Sequence, residues 1–286
     1  MNIIARILNF SIMLGLPVGL GLVLARKFKT AWRLFGIGVL TFILSQLFHI
    51  PFNHWVLNPL IEKQGFILTA GGLQLAVVGI LYGLSAGLFE ETARYLGYRF
   101  WIKDERDWKS ALMFGAGHGG IESIALGILV LIGFVQVMTL RGTDLNAIFD
   151  GDQVETVRAQ IEAYWTVPWH LAILGAVERL ASIPVHLSAT VLVLQSFRRR
   201  NPLWLVLAVG WHTIVDAVAV YAVRTWNAYV TEGIILVAGI LGLLVIFGLR
   251  SEDEIEVEAI HEVEPTVVEV QPYTPSEENL EDSRYV

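Results

Sequence analysis

The chain contains no cysteine among its 286 residues. Disulfides, thiolate catalysis, cysteine-held metals and prenyl or palmitoyl anchors are all excluded by that absence. Charge is also scarce, at 16% of residues against 55% hydrophobic, and the mean hydropathy is +0.59. Such a balance belongs to membrane proteins. There is no HExxH helix and no GxSxG elbow, which removes the commonest zinc-protease and serine-hydrolase signatures. A GxGxxG string does occur at 115–120, but it lies inside an apolar run with no strand before it, so it reads as helix packing and not as a dinucleotide loop. The basic residues flank apolar runs; they suit lipid phosphates, and no nucleic-acid partner is expected.

What is present is a series of long apolar stretches, at roughly 3–24, 33–51, 66–99, 110–139, 167–197, 203–223 and 228–249. They predict an all-α membrane protein with about seven transmembrane helices. The first stretch is too long for a signal-peptide core and lacks a small-residue cleavage site, so it is expected to be retained. The formal charge of −7 is misleading, because residues 251–286 hold 12 acids and one arginine, leaving 15 acids and 19 bases in residues 1–250. The tail is expected to be a disordered, solvated cytoplasmic segment, with a partner of the acidic tail as the less favoured reading. The chain thus divides into a membrane domain at 1–250, with its core at about 75–220, and the tail at 251–286.

Basic residues mark alternate loops. Arg26, Lys27, Lys29 and Arg33 follow the first stretch, Arg99, Lys103, Arg106 and Lys109 the third, and Arg198 to Arg200 the fifth, while the long loop at 141–170 is acidic. The positive-inside rule then places the N-terminus outside and the tail in the cytoplasm.

Four stretches carry ionisable groups deep inside them: Glu90 and Glu91, His118, His186, and His212. Each lies about 8 to 11 residues from the basic end of its helix, or roughly 12–17 Å at the α-helical rise. Charges in a bilayer are costly, so a converging set is by default a functional site. Helical spacing adds companions: Arg94 after the glutamate pair, Glu122 four residues after His118, and Asp216 four after His212. One glutamate is needed to neutralise Arg94, leaving the other available as a general base. Glu122 is either an orienting partner or a ligand, and Asp216 is read as orienting His212. Glu178 and Arg179 are read as a structural pair. His49 and His54 flank an expected helix end near Pro51 and, like His170, are taken as interfacial. Glycines at 79, 83 and 87 and around His118 predict close helix approach. Ser85, Ser123, Ser182 and Ser188 lie in apolar stretches without a nucleophile context.

The ordered motifs are Glu90-Glu91-Thr-Ala-Arg94, Phe114-Gly-Ala-Gly-His118-Gly-Gly-Ile-Glu122, His186-Leu-Ser and His212-Thr-Ile-Val-Asp216. Over residues 75–220 this set resembles the YhfC-like intramembrane proteases, which are related to PrsW-like and CAAX-type membrane proteases. The resemblance implies an endopeptidase in which Glu90, assisted by His118, activates water. It implies His212 as the oxyanion stabiliser, with Glu91 and Arg94 structural. The spacing to Arg94 is one residue shorter than in the CAAX type, and Asp216 replaces an asparagine. An ionised Asp216 cannot donate to an oxyanion, so it is left to support His212. His186 has no counterpart in the three core motifs; with His118 and His212 it would complete a three-histidine site for zinc, and metal dependence is left open. The expected partners are the lipid bilayer and a membrane-embedded or lipid-linked peptide, in a bacterial or archaeal plasma membrane. The shared depth of the motifs predicts hydration from the cytoplasmic side. The alternative reading is a metal-ion or proton transporter built on the same cluster.

Overall fold

A computed structural model describes residues 1–66 and 71–250, and every long element among them is a helix. The expectations for the acidic tail fall outside the described residues. Seven helices are long and apolar enough to cross a bilayer, as the hydropathy pattern predicts. In a bilayer the backbone must satisfy its own hydrogen bonds, which is why continuous helices form here.

Helix α1 is Asn2–Phe28 and α2 is Trp32–Phe52. The chain does not end its helix at Pro51. A π-helical segment at Asn53–Leu57 follows, and α3 continues at Asn58–Lys63, so the second span reaches Lys63. A wider turn of this kind takes up a local break without ending the helix. Helix α4 is Leu73–Phe100, preceded by Gly72 at φ +66°, a backbone conformation that favours glycine. Helix α5 is Trp108–Leu140; the Asp107 side chain caps it by accepting from the Ser110 backbone N–H at 2.9 Å.

The acidic loop folds into α6, Asp152–Thr166, followed by the short α7, Trp169–Ala172. Hydropathy did not signal α6, because its face is polar and it does not span. Helix α8 is Leu174–Arg198, α9 is Leu203–Thr225, and α10 is Ala228–Gly248 with Asn227 as its cap. Helix α4 packs along α9, α10 along α8, and α5 against α1, α2 and α8.

Glycine governs these approaches. A Cβ at Gly79 would stand 3.0 Å from the Ala217 carbonyl oxygen, and one at Gly87 would stand 2.9 Å from that of Val209. The row therefore seats α4 directly on the α9 backbone. A Cβ at Gly115 would meet the Thr190 hydroxyl at 2.9 Å, one at Gly119 the His186 Cβ at 2.6 Å, and one at Gly120 the Pro17 Cβ at 2.7 Å. The glycine string thus admits α1 and α8 to α5, as its packing reading requires. Gly87→Leu should lower stability by about 1–3 kcal/mol through overpacking. Gly15→Leu, where nothing lies within 4 Å, should leave the thermal midpoint in detergent unchanged.

Candidate active site

The site starts from one buried arginine. Arg94 and Glu91 are both 0% exposed and form an ion pair three residues apart on α4. The other arm of the guanidinium, Nη2, donates to His186 Nδ1 at 2.8 Å. Arginine can only donate, so His186 Nδ1 carries no proton and Nε2 does. That Nε2–H is 2.6 Å from Glu122 Oε2, while Glu122 Oε1 accepts from Arg179 Nη1 at 2.8 Å. Arg179 also pairs with Glu178. The resulting ladder, from Glu91 through Arg94, His186, Glu122 and Arg179 to Glu178, leaves no member without an opposite or hydrogen-bonding neighbour.

Glu90 sits beside this ladder and is 5% exposed. Gln46 Nε2 donates to its Oε1 at 3.0 Å, which fixes the carboxylate and turns Oε2 toward the imidazoles. Oε2 is 3.2 Å from His118 Nε2 and 3.9 Å from both His212 Nε2 and His186 Nδ1, with Arg94 Nη2 at 3.8 Å.

The far nitrogens of two histidines are held by acceptors. The Thr41 hydroxyl donates to the Gly38 carbonyl at 2.8 Å, so its oxygen accepts from His118 Nδ1 at 2.9 Å. His212 Nδ1 donates to Glu91 Oε1 at 2.7 Å. His118, when neutral, therefore presents its Nε2 lone pair toward Glu90, whereas His212 Nε2 faces two carboxylates, Glu90 Oε2 at 3.9 Å and Asp216 Oδ2 at 3.4 Å, to which a second ring proton would be donated. Lone pairs facing carboxylate oxygens call for a shared proton or a cation between them.

All eight residues singled out from the sequence, Glu90, Glu91, Arg94, His118, Glu122, His186, His212 and Asp216, meet in this one network. Their places within it differ. Glu90, His186, His212, Glu122 and Asp216 line a cavity of about 310 Å³, whereas Glu91 and Arg94 lie behind its wall. Glu178 and Arg179 form the expected pair and also line the cavity. Ser85 donates to Asn53, Ser123 to the Met13 carbonyl and Ser188 to that of Val185, while Ser182 lies on the cavity wall.

Three residues escaped the sequence reading. His49 was expected at the membrane interface, but because the helix runs on through Pro51 it lines the cavity instead. Its Nδ1 is 3.2 Å from Gln46 Oε1 and its ring stacks on Phe89. Gln46 itself and Thr41 were missed because they are uncharged; a polar residue on the face of α2 toward α4 was the available signal. His54 and His170 are exposed and contact only Trp55, and Trp169 with Tyr229, respectively, among the interactions described.

Among the described residues no group of three histidine or carboxylate side chains is arranged to hold a metal ion. The donor chemistry nonetheless fits one at His118 Nε2 and His212 Nε2, since each has its Nδ1–H fixed by an acceptor, the usual support of a metal-binding imidazole. His186 does not fit, because Nδ1 accepts from Arg94 and Nε2 donates to Glu122.

A polytopic helical membrane protein with a buried acid–histidine cavity is the class that this fold and site define. Residues 12–238 match the family described as YhfC intramembrane metalloprotease, and the chain belongs to that family. It is 31% identical over 241 residues, covering 83% of this chain and 91% of the relative, to "Uncharacterized membrane protein YhfC" of Bacillus subtilis (strain 168). No solved structure matches. The chain is accordingly a multi-pass membrane protein of bacterial type.

Replacing Arg94 by Met should cost about 3–5 kcal/mol, because Glu91 would remain buried without its cation. Glu90→Gln keeps the shape of the side chain and should shift the thermal midpoint by only a few degrees. Thermal unfolding of both variants in the same detergent checks the contrast.

Proposed function

We propose that the chain is an intramembrane endopeptidase that hydrolyses peptide bonds of membrane-embedded or lipid-linked substrates. The observation that supports this most is the meeting of the Glu90 carboxylate with the oriented Nε2 atoms of His118 and His212 at one end of a polar cavity. The family's description as a metalloprotease supports the same class of reaction.

Peptide hydrolysis needs a water stripped of a proton, a stabilised oxyanion and a protonated leaving amine. Glu90 Oε2 is the base in this reading: Gln46 holds its other oxygen, so one lone pair is aimed into the cavity. His118 faces the same oxygen and shares the proton that Glu90 takes. His212, its Nδ1–H held by Glu91, would face the developing oxyanion with a protonated Nε2, and the neighbouring Asp216 carboxylate favours that proton. Glu90 then returns its proton to the leaving amine. The Nε2 atoms of His118 and His212 are the donors that would hold a divalent cation such as zinc. Such an ion, when bound, supplies a Lewis acid for the scissile carbonyl. His186 is not among these donors, since both of its nitrogens are engaged by Arg94 and Glu122.

The transporter reading requires a polar path to both faces. On the basic side of the site Arg94, Tyr98 and Phe114 are fully buried and do not line the cavity, which favours a closed reaction site.

Purified protein in nanodiscs, offered a membrane-peptide library, should cleave it, and Glu90→Gln or His118→Ala should lose about 10²–10⁴ of the rate while remaining folded. Chelator-sensitive cleavage restored by zinc would assign the metal-assisted form, and chelator-resistant cleavage the glutamate-only form. Absence of cleavage in folded wild type, with ion flux in liposomes, would return the transporter. Thr41→Val removes only the acceptor behind His118 and should lower activity about 10–100-fold without unfolding the protein.

A further inference from the structure

We infer that the site opens to the extracytoplasmic face, the face opposite the arginine-rich loops, and that water and substrate enter from there. The motifs lie nearer the basic ends of their helices, which suggested a cytoplasmic entrance. The cavity runs the other way. On α8 its lining extends from His186 outward to Glu178, on α9 from His212 to Ala219, and on α2 from Phe42 to His49. Eight residues of α8 correspond to roughly 12 Å at the α-helical rise.

Burial follows the same direction. On the basic side of the site α5 is buried without a break from Ser110 to Gly120, and α8 from Val185 to Ser196. Tyr98 packs edge-on against Phe114 at 5.0 Å and also against Phe197, which plugs that end. On the other side exposure rises: the side chains of Glu122, Glu178 and Asp216 are 28%, 36% and 40% exposed, against 7% for Glu90 and His212. Carboxylates left that open in hydrocarbon would be expensive, so the space they line is water. The loops that carry the basic clusters lie beyond the plugged end, and the positive-inside rule puts those loops in the cytoplasm.

The corollary concerns substrates, and rests on the endopeptidase reading. The scissile segment would belong to a peptide presented from the outer leaflet or the extracytoplasmic space, and it would pass an acid-rich wall on the way in.

The cysteine-free chain allows a direct test that does not depend on catalysis. Single cysteines are placed at Ser182 and Ala219 in the cavity wall, at Thr143 in the acidic loop, and at Lys103 in a basic loop. Intact cells receive a charged, membrane-impermeant methanethiosulfonate, and remaining thiols are then counted by maleimide-polyethylene-glycol gel shift. Ser182→Cys, Ala219→Cys and Thr143→Cys should be blocked from outside, and Lys103→Cys only after permeabilisation. Reaction of the two wall positions only after permeabilisation, or no reaction there while Thr143→Cys is blocked, would overturn the proposal. Cleavage assays read the endopeptidase separately, so inactive protein with this labelling pattern would refute the activity and leave the entrance intact.

Discussion

The buried Arg94 guanidinium is the constraint on which the rest of the site depends. Two arms of one planar group reach Glu91 on its own helix and His186 on α8, with Glu90 more distant at 3.8 Å. The desolvation of a buried ion is repaid only when its partners are well placed. Fixing Arg94 therefore fixes Glu91, which holds His212, and His186, which holds Glu122. Four helices, α4, α5, α8 and α9, are thereby set in rotation and depth before any substrate is considered. Glu90 stands further from the guanidinium than Glu91 does, and its Oε2 is closer to His118 than to Arg94.

The helices achieve this geometry by approaching closely where they carry charge. Glycine rows let α4 lie on α9 and α5 on α8, and the same contacts bring short-reaching side chains such as histidine within bonding distance. In lipid no hydrophobic gain separates buried from exposed apolar surface, so close packing and satisfied polar groups carry the association. The polar network is thus part of the architecture as well as of the chemistry.

Much of this was legible in the chain. Hydropathy runs locate all seven spans, and ionisable residues inside them identify the eight side chains of the network, because charge in an apolar run is conspicuous. Helix continuity through Pro51 was not legible, since a proline normally reads as an end and the π-helical segment after it has no sequence signature. His49 was misplaced for that reason. Gln46 and Thr41 were invisible because uncharged residues are common in spans. The direction of the cavity was hidden as well, for depth along each helix says nothing about which end the large side chains of Tyr98 and Phe114 will close.

The ladder from Glu91 to Glu178 alternates in such a way that each group is the answer to its neighbour. Altering an inner rung singly breaks two contacts at once, whereas losing the terminal Glu178 leaves Arg179 paired with Glu122. Over evolutionary time the inner positions would be inherited as one block, with changes admitted in matched pairs or not at all. A mutation near the mouth at Arg179 would then be constrained much as one at the floor, although that residue does not need to touch a reacting atom.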